Sequence, residues 1–233
     1  MWTNAQIKAN GLANFKKNRW ACIVVSIILG ICAGGSAGGT ANSANNEQIR
    51  DQFANLSPEI VAVILGVVGV AFLVAVVIDI LLFNVLQVGC QKFCIVNRTQ
   101  DNAQISEVTY GFKSNWMNIV KVMFLKDLYL CLWTLLCFIP GIIKSYSYRL
   151  VPYILADNPD MTASEAITLS RTMMNGQKMN AFIYDLSFIG WYILAIITCG
   201  IVGVFYSFPY KMCSDAELYT AIKETFNPQP ENV

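Results

Sequence analysis

The chain has 233 residues, 55% of them hydrophobic and 13% charged, with no histidine and a formal net charge of +1. A typical soluble domain is about 25% charged, so water is not the expected main solvent, and the length leaves no room for a separate soluble domain. No basic block is long enough to track a phosphate backbone, which removes nucleic acid from the expected partners.

Residues 1–19 are polar and carry Lys8, Lys16, Lys17 and Arg19, a cytoplasmic anchor by the positive-inside rule. From Trp20 the chain is apolar to Ile31. Gly30, Gly34 and Gly38 are spaced by four, with Gly35 and Gly39 beside them, which predicts close helix contact. A signal peptide has the same layout; the long basic region favours a retained helix. Residues 40–59 are rich in Asn, Gln and Ser, with Arg50 alone against Glu47, Asp51 and Glu59, and read as an outside loop. A span is expected over residues 60–89, with Asp79 inside it. Lys92, Arg98, Lys113 and Lys121 then bring residues 91–121 back inside.

Residues 119–156 drawn as one helix would measure about 57 Å, whereas a bilayer core is about 30 Å thick. Two crossings are therefore expected, over residues 122–139 and 140–156. Pro140-Gly141 is the expected outer turn, because Pro disfavours helical geometry in the residue before it. The two arms should pack antiparallel, with Trp133 near the level of Ser147 or Tyr148. Between residues 157 and 178 the chain is inside again. There Thr162 and Glu165 have capping-box spacing, and Gly176 suits a helix end, so a short helix on the inner membrane surface is expected. A fifth span covers residues 179–197 with Asp185 near its start. Thr198-Cys199-Gly200 permits a turn, and residues 201–226 return as a sixth span broken by Pro209, which keeps Lys211 and Lys223 inside.

The expected fold is an all-α polytopic transmembrane bundle, about six spans in three hairpins with short interfacial amphipathic helices. It forms one membrane domain over residues 1–233, in the cell membrane with both termini cytoplasmic. A faint repetition accompanies this layout. Residues 4–7 and 102–105 both read NAQI, followed by FKKNRW at 15–20 and FKSNW at 112–116. Ser106-Glu107 precedes Asp127 by the same offset as Ser164-Glu165 precedes Asp185. The implied units are residues 1–95, 96–160 and 161–226, each a surface helix followed by a membrane hairpin, in the manner of transporter repeats.

Trp133 with IPGIIKSYSY at 139–148, YILADNP at 153–159, then SEAITLSRTMMNGQK and DLSFIGW, resembles a family of bacterial integral membrane proteins catalogued as a domain of unknown function. Pro209-Tyr210 and AELY at 216–219 resemble the family's ending. The resemblance runs from about residue 105 to the C-terminus. It implies a multi-pass helical protein of the bacterial cell membrane and supplies no activity.

With the amino terminus inside, Asp79, Asp127, Arg149 and Asp185 all fall at one depth in the inner part of the membrane. Charges there are costly, about 2.5–3.5 kcal/mol each on insertion scales, and mark functional sites or paired clamps. These four are the candidate polar centre, either a site for a solute, ion or proton or an interhelical clamp. Lys121, Lys126 and Lys144 read as snorkelling residues. Tyr146, Tyr148, Tyr153, Trp133 and Trp191 read as interface and packing aromatics.

Catalysis is not expected. Tyr184-Asp185 is the YD half of an intramembrane aspartyl protease motif, whose two aspartates would share a proton, but GxGD is absent, as are HExxH, GxSxG and a Gly-rich phosphate loop. Cys22, Cys32, Cys131, Cys137 and Cys199 sit in apolar runs and read as small buried hydrophobes. Cys90 and Cys94 are four apart, yet no CxxC and no histidine accompany them, so neither a metal nor a cofactor is expected. The expected function is non-enzymatic, transport or sensing of a small solute or peptide, against a passive scaffold or a partner-binding, immunity-type protein. The lipid bilayer is the expected partner, with a second copy or another membrane protein beside it.

Overall fold

The computed structural model describes residues 2–34, 57–100 and 103–226, and within them the side chains of residues 31–34, Ala75, Asp79 and Phe138 lie outside the description. Most of the predicted outside loop and Gly35, Gly38 and Gly39 also lie outside the described residues. Every regular element among the described residues is helical. In chain order these are α1 (Asn4–Lys17), α2 (Arg19–Gly34), α3 (Pro58–Ile78), a π turn (Asp79–Phe83) and α4 (Asn84–Thr99). A 3-10 turn (Ile105–Thr109), α5 (Tyr110–Lys113), α6 (Trp116–Leu136), α7 (Phe138–Tyr148) and α8 (Val151–Asp157) follow. The last group is α9 (Ala163–Met173), α10 (Lys178–Leu186), α11 (Ile189–Ile197), a second π turn (Gly203–Ser207) and α12 (Phe208–Phe226).

Local chemistry accounts for several boundaries. Thr3 caps α1 by accepting from the Gln6 N–H, and Asn115 caps α6 in the same way with the Asn118 N–H. The capping box expected before α9 is present: the Thr162 N–H and hydroxyl both donate to Glu165 Oε2, at 3.1 and 2.7 Å. Gly176 has φ +75°, in the turn after α9, and Cys199 and Gly200 have φ +49° and +87°, in the turn after α11. These are left-handed conformations in which glycine meets no steric penalty.

The second hairpin forms, with α6 packed along α7, but it turns at a different residue. The break is at Cys137, which is extended (φ −161°, ψ 139°), and Pro140 is the third residue of α7. The first N–H groups of a helix have no intrahelical acceptor, so Pro is tolerated there. A Cβ on Gly141 would lie 2.8 Å from Thr134 Oγ1 and 2.9 Å from its Cα, so the arms touch where Gly permits it. Moving the turn three residues shifts the register. Trp133 lies under the Lys144 ammonium, 4.5 Å from ring centroid to Nζ, one turn from the expected partners Ser147 and Tyr148. Gly30 does not mediate close helix contact among the described residues, since a Cβ there would meet nothing within 4 Å.

The buried core gathers around α4, which touches α2, α6, α8 and α12. Val85, Val88, Cys90 and Phe93 of α4 are fully buried, as are Ile119, Val122 and Met123 of α6 and Val151 and Leu155 of α8. Helix α1 lies along α12, joined by the Asn14 amide donating to Glu217 at 2.7 Å. The opposite end of the molecule is an exposed apolar crown. Val63, Leu65 and Phe72 of α3 are each about two-thirds exposed, and Leu135, Ile139 and Ile196 at the hairpin tips are 73–83% exposed. A surface this apolar marks contact with a membrane or another protein.

Among the described residues two helical stretches are long and apolar enough to cross a membrane by length and composition, Pro58–Thr99 through its π turn and Lys178–Ile197 through the bend at Ser187-Phe188. The other expected spans do not pass that test on their own. Helix α6 carries Lys121, Lys126 and Asp127, α7 has 11 residues and α8 has 7. The final limb is helical without a gap over residues 201–226, running through Pro209 in the first turn of α12 where a break was expected, and is loaded with Lys211, Asp215 and Glu217. Cys131, Cys137 and Cys199, expected to be buried, are exposed on the crown, whereas Cys22, Cys90, Cys94 and Cys213 are buried.

Candidate functional site

Helix α7 ends at Tyr148 and α8 begins at Val151, with Pro152 in its first turn. Arg149 falls in this break and its side chain is 18% exposed. Helix α10 brings Asp185 opposite it: Arg149 Nη1 donates to Asp185 Oδ2 at 2.7 Å and Nη2 to Oδ1 at 3.1 Å, a bidentate pair. Arg149 Nη2 also donates to Asp215 Oδ1 of α12 at 2.8 Å. Lys211, one turn before Asp215 on the same helix face, completes the group. Its ammonium meets Asp185 Oδ1 at 2.9 Å and also contacts Asp215 Oδ1.

Two tyrosines close the cluster. The Tyr146 hydroxyl donates to Asp185 Oδ2 at 3.0 Å, and the Tyr184 hydroxyl donates to Asp215 Oδ1 at 3.0 Å. Tyr184 is fully buried, and Lys211 Nζ lies 4.8 Å from its ring centroid. Two cations and two carboxylates thus balance, and the oxygens that accept are shared among charged and hydroxyl donors. Charge-assisted contacts of this kind are roughly twice as strong as neutral ones.

The structure brings together two of the four residues expected from sequence, Arg149 and Asp185. Asp127 is not among them. Counting from the turn at Cys137 it shares the level of Arg149, but it points elsewhere: its carboxylate meets Lys126 Nζ at 2.8 Å and its side chain is 45% exposed. Asp79 opens the first π turn, and its side chain lies outside the described residues. Lys211 and Asp215 are the charged members that sequence reasoning missed as site residues, and Tyr146, expected as an interface and packing aromatic, and Tyr184 are hydroxyl donors to the cluster. The spacing of four between Lys211 and Asp215, behind Pro209, is the signal that was present.

Every charged group of this set is paired within it. Asp185 and Asp215 share cations and not a proton, which is unlike a protease dyad. Arg149 and Lys211 occupy the room between the carboxylates where a metal would sit, and among the described residues no three His, Cys, Asp or Glu side chains gather to hold one. A second polar knot lies at the far end of α4, where Arg98 Nε donates to Glu217 Oε1 at 3.0 Å beside a cavity of about 490 Å³ that also reaches Trp2 and Glu224.

Residues 135–225 match the family described as "Protein of unknown function (DUF975)". The matched stretch contains Arg149, Asp185, Lys211 and Asp215, and its description names no activity. No curated protein and no solved structure matches the chain.

Proposed function

We propose that the chain is a non-enzymatic integral protein of the cell membrane, with six spans in three hairpins and both termini cytoplasmic, in which Arg149, Asp185, Lys211 and Asp215 tie the second hairpin to the third. The observation that carries this reading is the balanced pairing of two cations with two carboxylates contributed by α10, α12 and the α7–α8 break. A group so completely paired binds its own helices and leaves no formal charge for a substrate. The exposed apolar crown supports the membrane setting, and the packing of α1 against α12 supports termini on one side. The element order, a short helix before two longer limbs in each third of the chain, supports the repeat units 1–95, 96–160 and 161–226. In this reading the protein works as a scaffold or binding component of the membrane, with the bilayer as its first partner.

Movement of a solute or proton is the second reading, favoured by the two π turns at Asp79–Phe83 and Gly203–Ser207, since π turns inside helices are frequent at functional sites. One comparison separates the two. The double variant Arg149→Met with Asp185→Leu removes a matched pair, which is often close to neutral for folding. A clamp predicts that this variant, inserted and folded, retains the phenotype of the intact gene and matches wild type in liposome uptake and proton-leak assays. Loss of phenotype with normal expression and folding would establish the solute or proton reading instead.

A further inference from the structure

Two cavities on the flank of the second hairpin run into one another. The larger, about 640 Å³, has an apolar wall from Leu125, Tyr129 and Trp133 of α6 and is floored by Ile167 of α9. The smaller, about 370 Å³, extends past Asn175 to Lys178 at the start of α10. Lys144, Thr168 and Arg171 line both. Three cations therefore share one groove, and no carboxylate lines either part of it.

That gathering of cations contrasts with the ion-paired sites of the protein. Arg98, Lys126, Arg149, Lys211 and Lys223 each meet a carboxylate. Lys144 instead rests on the Trp133 ring, and among the described residues Arg171 and Lys178 have no ion-pair partner. Like charges held close repel one another, and an anion supplied from outside relieves the repulsion while gaining charge-assisted hydrogen bonds. The Thr168 hydroxyl and the Asn175 amide add neutral donors. Beyond the apolar wall, Leu132 and Leu136 of the same helix α6 are exposed.

A phosphate head held by cations, with a hydrocarbon tail leaving along an apolar wall, is the chemistry of an acidic phospholipid. We infer that the groove between α6, α7 and α9 binds the headgroup of an acidic phospholipid through Lys144, Arg171 and Lys178, with its acyl chains along Leu125, Tyr129 and Trp133. The inference rests on the membrane reading above and is separate from the four-charge cluster.

The test uses the full chain in neutral detergent, melted with added short-chain phosphatidylglycerol, phosphatidylcholine or inorganic phosphate. Phosphatidylglycerol alone should raise the melting temperature, and the variant Lys144→Gln, Arg171→Gln, Lys178→Gln should lose the shift. A shift of the same size with inorganic phosphate would overturn the lipid assignment, and equal shifts with the two lipids would reduce the groove to ordinary apolar contact. A second measurement does not depend on that variant folding. Phosphatidylglycerol with brominated tails should quench tryptophan fluorescence more than its phosphatidylcholine counterpart, and Trp133→Phe should abolish the difference; no difference in wild type overturns the inference. Carbonate washing of membranes tests the underlying reading by itself. Release of the chain to the soluble fraction refutes the membrane setting, whereas retention with no preference between the lipids refutes only the groove.

Discussion

Arg149 makes the sharpest stability prediction. Its guanidinium supplies contacts of 2.7, 3.1 and 2.8 Å to two carboxylates, and the side chains of Arg149, Asp185 and Asp215 are 18%, 29% and 21% exposed. Replacing it with Met leaves Lys211 alone between two carboxylates. Removing one partner of a buried pair costs about 3–5 kcal/mol, and partial exposure places this case near the lower end, about 3 kcal/mol. Asp185→Leu leaves two cations on Asp215 and should cost a similar amount. The double variant restores neutrality, leaving Lys211 with Asp215 on one helix face. Its main loss is the acceptor of the Tyr146 hydroxyl, about 1 kcal/mol. The double variant should therefore be more stable than either single one, read as equilibrium unfolding in mixed micelles of rising dodecyl sulfate fraction. Additive costs, with the double variant the least stable of the three, would show that the pair does not act as a unit.

Two other outcomes follow from the capping box and from the proposed topology. The Thr162 hydroxyl and N–H hold the Glu165 carboxyl below its ordinary range. A depressed carboxyl pKa contributes stability that is complete above the unfolded value of about 4.3 and is lost as pH falls through the lower folded value. Amide exchange in the first turn of α9 should accordingly accelerate below about pH 4 beyond the intrinsic pH effect, and Glu165→Gln should remove that extra pH dependence. In a cysteine-free background, an impermeant thiol reagent added outside intact cells should label Ser57→Cys and spare Thr99→Cys and Gln177→Cys; the reverse pattern would invert the topology.

The all-helical character, the caps of α9 and the turns after α9 and α11 were legible because each rests on local chemistry. Arg149 and Asp185 stood out because an ionisable side chain in an apolar run needs a reason. Asp127 shows where such reading stops. Position along a span fixes depth but not the direction a side chain points, and the apolar residues of α6 itself are spread over all its faces, leaving no single polar stripe to orient it. Lys211 and Asp215 were hidden for the opposite reason. They follow Pro209 in a segment expected to emerge into water, where a charge pair four residues apart is ordinary. The hairpin turn was misplaced by three residues because Pro140 signals a helix boundary nearby without saying whether it stands before the break or just after it. The structure puts it after, inside the first turn of α7.

The three returning limbs share a feature that ties these observations together. Each is interrupted ahead of a buried stretch: the π turn Asp79–Phe83 separates the exposed α3 from α4, Arg149-Leu150 separates α7 from α8, and the π turn Gly203–Ser207 lies ahead of α12. A π turn inserts an extra residue into the helical repeat and so rotates everything beyond it by about 100°. The first limb accordingly presents an apolar surface all round in α3 and a packed face in α4. Val151 to Ala156 are all buried immediately after the second break, and Pro209, Tyr210, Met212 and Cys213 are buried after the third. Helices bend at such defects before they bend elsewhere. Arg149 sits at one of these breaks and Lys211 just past another, so the ion pairs join α10 and α12 to the α7–α8 break beside both interruptions.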